Sequence, residues 1–342
     1  MLSDTVSTDT LILAGAPALP GLRFRRFAGV NDYPRMIEVL AASKDADGLE
    51  EVDTLEALTN AYSHLFNCDP ATDMVMMEMN GALIGYARVW WAQEEKTRAR
   101  LYNAIAFLVP QWRGQGLGQT VLAWQEARLR DIASTHPADG SRAFQVFSSE
   151  NEQAKTALVE RAGYAPVRYF YEMIRPTLND IPGRPLPAGL EVRPVKPEHL
   201  RAIYDANVEA FRDHWGYVPP AEDSYQAWLS NDEFQPDIWK VAWDARANTV
   251  AGMVLGFINH AQNEKYHRLR GWTENICTAR AWRKRGVAHA LIAENLRELK
   301  ARGMTEAALG VDTENTSGAL RVYEDMGFRA AKKFATYRKE MR

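Results

Sequence analysis

The sequence predicts an α/β protein of two tandem domains, each a mixed, mostly antiparallel sheet flanked by helices. Three observations carry this. The chain repeats itself at a nearly constant spacing, and both copies run through strand and helix signals in the same order. In each copy a small-residue turn joins an apolar strand to an amphipathic helix.

Four segment pairs define the repeat. "LPGLRFRRF" returns as "LPAGLEVRPV", setting Leu22 against Leu190, 168 residues apart. "NGALIGYARV" matches "NTVAGMVLGF", with Gly85 against Gly252 at a spacing of 167. "VPQWRGQGLGQTVL" matches "ARAWRKRGVAHAL", pairing Arg113 with Arg283 and Gly116 with Gly286 at 170. "ENEQAKTALVERAGY" matches "ENTSGALRVYEDMGF", with Asn151 against Asn315 at 164. The order is kept throughout, so the chain reads as a duplication of one unit. A length of 342 residues suits two cores, because single cores stop growing near about 250 to 300 residues.

The expected organisation is a flexible tail over 1–18, with packing as an extra strand the alternative, a first domain over 19–178, a linker over 179–189 and a second domain over 190–342. Prolines 176, 182, 185 and 187 predict a semi-rigid, extended connection, since proline fixes φ and removes a donor. Each domain opens with a strand, over 22–27 and 190–195, followed by helical material. A strand pair comes next, turning at Asn80-Gly81 in the first copy and over 246–248 in the second. A further strand runs into the glycine turn and its helix. In the second copy that helix carries Val287, Leu291, Leu296 and Leu299 and is expected to stop at Gly303. A strand, a helix and a last strand close each unit.

Composition narrows the function. Hydrophobic residues at 46% and charged residues at 25% describe a globular protein. A formal charge of −3 gives no global pull toward nucleic acid or an anionic membrane, so neither partner is expected. Cys68 and Cys277 make no disulfide framework and no zinc spacing, which fits a reducing cytoplasm. His260 and His267 lack a third ligand, so no metal is expected. No cationic leader precedes "LILAGAPAL", and no apolar run reaches the roughly 18 residues of a membrane span.

The turns read Arg113-Gly114-Gln115-Gly116-Leu117-Gly118 and Arg283-Lys284-Arg285-Gly286-Val287-Ala288, both [QR]-x-x-G-x-[GA]. Small residues admit a ligand close to the backbone, and the amides opening a helix point outward with partial positive charge, which suits a pyrophosphate. Gln119 stands where a dinucleotide fingerprint needs glycine, and neither copy has the G-K-[ST] of a P-loop.

The turn with its flanking strand and helix resembles motif A of the GNAT superfamily of acyl-CoA-dependent N-acyltransferases. "NTSGALRVYEDMGF" is similar to the family's following motif. The resemblance spans both copies. It implies that acetyl-CoA is the cofactor and that the turn amides, through Val287, Ala288 and His289 and through Leu117 and Gly118, take its pyrophosphate. Arg280, Arg283, Lys284 and Arg285 would then neutralise its phosphates; the other reading of this cluster is solvated surface charge. It further implies that backbone at Cys277, Thr278 and Ala279 receives the thioester carbonyl, with Asn315 and Asn151 beside the cofactor.

Transfer to an amine needs a base for the ammonium and a proton for the departing thiolate. Asn315, Ala319 and Tyr323 recur at helical spacing on one face, and the resemblance makes Tyr323 the general acid; a core aromatic is the alternative. By alternation Glu274, Ile276 and Thr278 share a strand face, and a carboxylate on a central strand costs free energy unless it has a task or a partner. Glu274 is therefore the candidate base, or else a buried partner for an arginine. The first copy has Ala104 and Val159 at these positions, so it reads as a degenerate partner.

The stretch 210–234 is rich in aromatics and acids, and in GNAT proteins this region walls the acceptor pocket. Asp213, His214, Trp215 and Tyr217 are the candidate acceptor contacts, by charge and stacking. The expected activity is acetyl transfer to a primary amine of a small molecule. Protein N-terminal or lysine acetylation and a non-catalytic acyl-CoA sensor are the alternatives.

Overall fold

The computed structural model describes residues 10–315 and 318–341. The chain contains strands β1 (Thr10–Leu11) and β2 (Leu22–Arg25), helices α1 (Tyr33–Ala46), α2 (Leu55–Ser63) and α3 (Pro70–Asp73), and strands β3 (Met74–Met79), β4 (Ala82–Gln93) and β5 (Arg100–Leu108). These lead to α4 (Leu117–Ser134), β6 (Arg142–Ser149), α5 (Gln153–Arg161) and β7 (Ala165–Arg175). The second half holds β8 (Leu190–Arg193), α6 (Leu200–Phe211), α7 (Ser224–Leu229), β9 (Lys240–Asp244), β10 (Thr249–Val254), α8 (His260–Lys265), β11 (Arg270–Trp272) and β12 (Cys277–Thr278). Helix α9 (Val287–Ala301), β13 (Glu306–Asp312), α10 (Ala319–Asp325) and β14 (Arg329–Glu340) complete it.

Two compact units result. Unit 1 takes the chain up to Val167 together with Ala335–Arg342, and unit 2 is Arg168–Phe334. In unit 1 the strands run β1-β2-β3-β4-β5-β6. The run "MVMMEM" of β3 is buried on both faces. Met74 and Met76 meet Met36, Val39 and Leu40 of α1, whereas Val75 and Met77 meet Leu117 and Val121 of α4. The hairpin to β4 turns at Asn80 (φ 50°) and Gly81 (φ 84°), the double positive φ of a type I′ turn. In unit 2 Val241 and Trp243 of β9 pack toward Ile203 of α6, while Ala242 faces Leu291, Leu296 and Leu299 of α9. Each such leucine contributes about 1.5 to 3 kcal/mol on burial. Gly303 (φ 86°) ends α9 as expected.

The duplicated register is visible in the parallel pairs. Arg100–Asn103 lie against Arg142–Gln145, and Arg270–Trp272 lie against Glu306–Ala308, so the sequence spacings of 170 and 164 carry over. Beyond these residues the ladder in each unit ends and the two strands part.

Three expectations need correction. Residues 10–18 are no free tail, because β1 pairs with β2 and Leu13 is buried in the unit 1 core; residues 1–9 lie outside the described residues. The proline-rich connection is irregular but packed, with Leu178 buried in the unit 2 core and its amide bonded to the Thr305 carbonyl. Linear boundaries also assign both closing strands differently from the structure. Arg168–Arg175 belongs to unit 2, antiparallel to β13, and the end of β14 belongs to unit 1, where Arg338 donates to Glu94 and Gln145. Two copies with one pattern offer equivalent edges, so periodicity does not show which copy's last strand fills which edge.

Candidate active site

Gly286 (φ 86°, ψ 6°) caps α9 in the left-handed region, and nothing lies within 4 Å of a Cβ built there. The first helical bond runs from the Ala290 amide to the Gly286 carbonyl, so the amides of Val287, Ala288 and His289 precede the ladder. His289 also lies with its Nε2 3.6 Å from Asp325. Lys284 has φ 61°, and Arg285 covers the Trp282 ring at 4.9 Å. Unit 1 repeats the turn: Gly116 (φ 87°) caps α4, the Thr120 amide makes the first bond, and Leu117 and Gly118 open the helix. Gly114 is open, while the Gln115 amide group donates to the Gln111 carbonyl.

Asp213, a candidate acceptor contact, is paired with two arginines of the turn region. Its carboxylate bridges Arg280 and Arg283, at 3.0 and 2.9 Å, and these cations hold it down at about 2, below the usual carboxylate range. Arg283 also donates to the Thr278 carbonyl at 3.2 Å. In unit 1 Asp47 grips Arg113, which donates to the Leu108 carbonyl at 3.1 Å. Each copy thus locks its turn arginine between an acid that follows a helix and the end of the preceding strand.

Glu274 sits where the parallel strands of unit 2 part. The Leu255 amide bonds to the Glu274 carbonyl, yet Met253 faces Cys277, so three steps on one strand answer two on the other. That is a bulge, with Asn275 at φ 47°. The expected alternation of Glu274, Ile276 and Thr278 therefore breaks. The carboxylate instead turns across the gap and accepts from the Gly310 amide at 2.8 Å. Burial, helped by the Glu233 charge, pushes it up to about 7.

Tyr323 is buried on α10, edge-on to Phe328 at 6.4 Å. Burial raises its phenol above the ordinary value, and negative charge on Glu274 and Cys277 raises it further, so the three groups share one neighbourhood. Burial pushes the Cys277 thiol up to about 12. Cys277 and Thr278 form β12 beside β10, and the Ala279 amide is bonded to the Ala251 carbonyl. Asn315 precedes α10 rather than lying on it; its amide bonds to the Asp312 carbonyl. Asn151 likewise precedes α5 and reaches the Gly48 carbonyl at 3.5 Å.

His214, Trp215 and Tyr217 are half-buried in the loop after α6. Arg168 stacks on Trp215 at 5.5 Å and forms a bidentate pair with Asp312, and Phe170 lies 6.4 Å from the same indole. Burial lowers His214. Glu233 lies exposed, and partial desolvation with the neighbouring Asp232 charge raises its carboxyl above the ordinary value. Neither Glu233 nor Arg168 stands out in the sequence as a site residue. Glu233 stands in the acid-rich stretch already marked for the acceptor, whereas Arg168 entered unit 2 through a strand assigned to the other copy.

In unit 1 Ala104 and Val159 occupy the positions of Glu274 and Tyr323. They line a cavity of about 830 Å³ that also reaches the glycine turn.

Residues 200–328 match the Acetyltransferase (GNAT) family model. The mycothiol acetyltransferase of Pseudarthrobacter chlorophenolicus is 26% identical over 309 residues, covering 85% of this chain and 87% of that protein. The mycothiol acetyltransferase of Salinispora arenicola is 27% identical over 307 residues, with coverages of 87% and 91%. The crystal structure of a GCN5-related N-acetyltransferase from Sphaerobacter thermophilus superposes with a TM-score of 0.68 at 26% identity, covering 95% of this chain and 97% of that one. A tandem GNAT protein from the clavulanic acid biosynthesis pathway shares the fold, with a TM-score of 0.64 at 12% identity and coverages of 93% and 98%.

Proposed function

The chain belongs to the GNAT family of acetyltransferases, which use acetyl-CoA, and on that premise we propose that unit 2 acetylates a primary amine of a small molecule by direct transfer. The observation that carries this reading is the Glu274 carboxylate, raised to about 7 at the parting of β11 and β13, in one neighbourhood with a protonated phenol.

The residues present fit the cofactor. Gly286 offers a backbone without a Cβ at the start of a 15-residue helix, where amides and dipole favour a pyrophosphate. Bound there, acetyl-CoA supplies the acyl group as a thioester. Val287, Ala288 and His289 would contribute amides. Arg280 and Arg283 are already neutralised by Glu209 and Asp213, so Lys284 and Arg285 are the cations left for the phosphates. Main chain at Cys277, Thr278 and Ala279 would orient the carbonyl, with Asn315 beside it.

Glu274 takes the proton from the acceptor ammonium, since a carboxylate near 7 is partly ionised at neutral pH. Tyr323 holds the proton for the departing sulfur; its raised phenol stays protonated. Cys277 stays a thiol at neutral pH, which favours direct transfer over an acyl-cysteine. Glu233 and the loop of His214, Trp215 and Tyr217 would receive a cationic amine. The relatives named mycothiol acetyltransferase make a mycothiol-type acceptor the first to assay.

The test is thiol release from acetyl-CoA with a panel of amines. Tyr323→Phe and Glu274→Gln should each cut turnover, and full activity in both variants would put the chemistry elsewhere.

A further inference from the structure

We propose that unit 1 binds a small organic carboxylate under α2, with Arg88 as the anion receptor between Tyr62 and Trp90. Neither Arg88 nor these rings line the cavity at the glycine turn, so the site stands or falls apart from any cofactor there.

Along β4 the side chains of Tyr86, Arg88 and Trp90 alternate onto one face, on which Tyr86 packs with α1 and α2. The guanidinium carbon of Arg88 lies 5.1 Å from the centre of the Tyr62 ring and 5.2 Å from that of Trp90. Arg88 and both rings are half-buried, so the cation is gripped yet still reaches solvent. Among the described residues no carboxylate, carbonyl or hydroxyl bonds its guanidinium, and its Nε is buried without a partner. Other arginines of unit 1 are answered: Arg25 by Asp32 and Glu78, Arg113 by Asp47 and Arg128 by Asp73.

The groups around Arg88 supply no counter-ion. Partial burial pushes the Tyr62 phenol up to about 12 and the Cys68 thiol up to about 11, so both stay neutral at physiological pH. The acids whose charge reaches this neighbourhood are engaged: Asp53 by Lys44, Asp73 by Arg128, and Asp69 by the Ala71 amide at the cap of α3. The fold itself needs no cation here. Three residues after the paired glycines Gly85 and Gly252, unit 2 carries Leu255, buried with Ile203, Trp239 and Val241. A guanidinium set where the other copy buries a leucine costs free energy until an anion joins it. Its planar fork matches a carboxylate through two parallel hydrogen bonds. A phosphate monoester carries up to about two negative charges and asks for a second cation, whereas Lys44 of α1 is locked between Glu51 and Asp53. Tyr62 and Trp90, with Phe107 lying 5.3 Å from Tyr86, favour an apolar body behind the carboxylate.

The experiment is calorimetry on the full chain with benzoate, its neutral isostere benzamide, and phenyl phosphate. Benzoate should bind at one equivalent, with benzamide weaker by about tenfold or more because the charge-assisted hydrogen bonds are lost. Arg88→Leu installs the residue of the second copy. It should abolish benzoate binding and, by removing an unpaired cation, melt above the wild type when no ligand is present. Arg88→Lys keeps the charge without the fork, and benzoate should weaken by about tenfold; this variant decides the matter if the leucine variant does not fold. Absence of benzoate binding, benzamide binding as tightly as benzoate, or benzoate binding undiminished in the Arg88 variants overturns the inference. Phenyl phosphate binding more tightly than benzoate overturns the assignment to a carboxylate.

Discussion

Arg168 holds Asp312 by both ends of its guanidinium, with 2.8 Å to each carboxylate oxygen, although 144 residues of chain separate them. The pair braces Trp215 against the end of β13. Both side chains are mostly buried, so Arg168→Ala leaves a carboxylate without its partner. The expected loss is about 2 kcal/mol in urea unfolding. The KM for the amine should rise while acetyl-CoA affinity holds. An unchanged amine KM would remove Arg168 from the acceptor wall.

The rate should depend on pH through Glu274. A base near 7 is protonated below that value, so kcat/KM for the amine should climb through about pH 7. Glu274→Gln should abolish this limb and lower kcat by about a hundredfold or more.

Stability follows the opposite sign. The folded state raises Glu274 above its ordinary value and so binds a proton that the unfolded chain has released. Its contribution is fully present below about pH 4.5 and is lost as pH rises through 7. Glu274→Gln should therefore melt above the wild type at pH 8, with the gap closing on acidification. A lower melting temperature for the glutamine variant at pH 8 would contradict the burial argument.

Tyr323→Phe keeps the ring packed against Phe328 and deletes only the hydroxyl. Stopped assays should show kcat reduced by about 10² or more with the KM for acetyl-CoA retained. A matching rise in that KM would instead point to a binding role.

Asp213→Asn separates two roles cleanly. As the anion between Arg280 and Arg283, Asp213 opposes phosphate binding, so its neutralisation should tighten CoA severalfold at low salt and little at high salt. The amine KM should not move. A large rise in it would restore Asp213 as an acceptor contact.

Much of this architecture was legible in the residues. Four offset pairs gave the duplication, Asn80-Gly81 gave a hairpin, and Gly286 and Gly303 marked the ends of α9. The bulge at Glu274 was hidden because alternation assumes a regular strand; the one clue was Asn275, a residue that tolerates positive φ. The partners of Asp213 were hidden for another reason. An acid beside aromatics looks like a ligand contact until the fold brings two arginines from 67 and 70 positions away.

The exchange of closing strands also bears on synthesis. A ribosome that releases the first half early has not yet made Ala335–Arg342, so that half stays unfinished until translation is nearly over. Duplication has here produced two lobes whose maturation is a single event, and halves separated by cleavage in the proline-rich stretch would each begin life short of an edge.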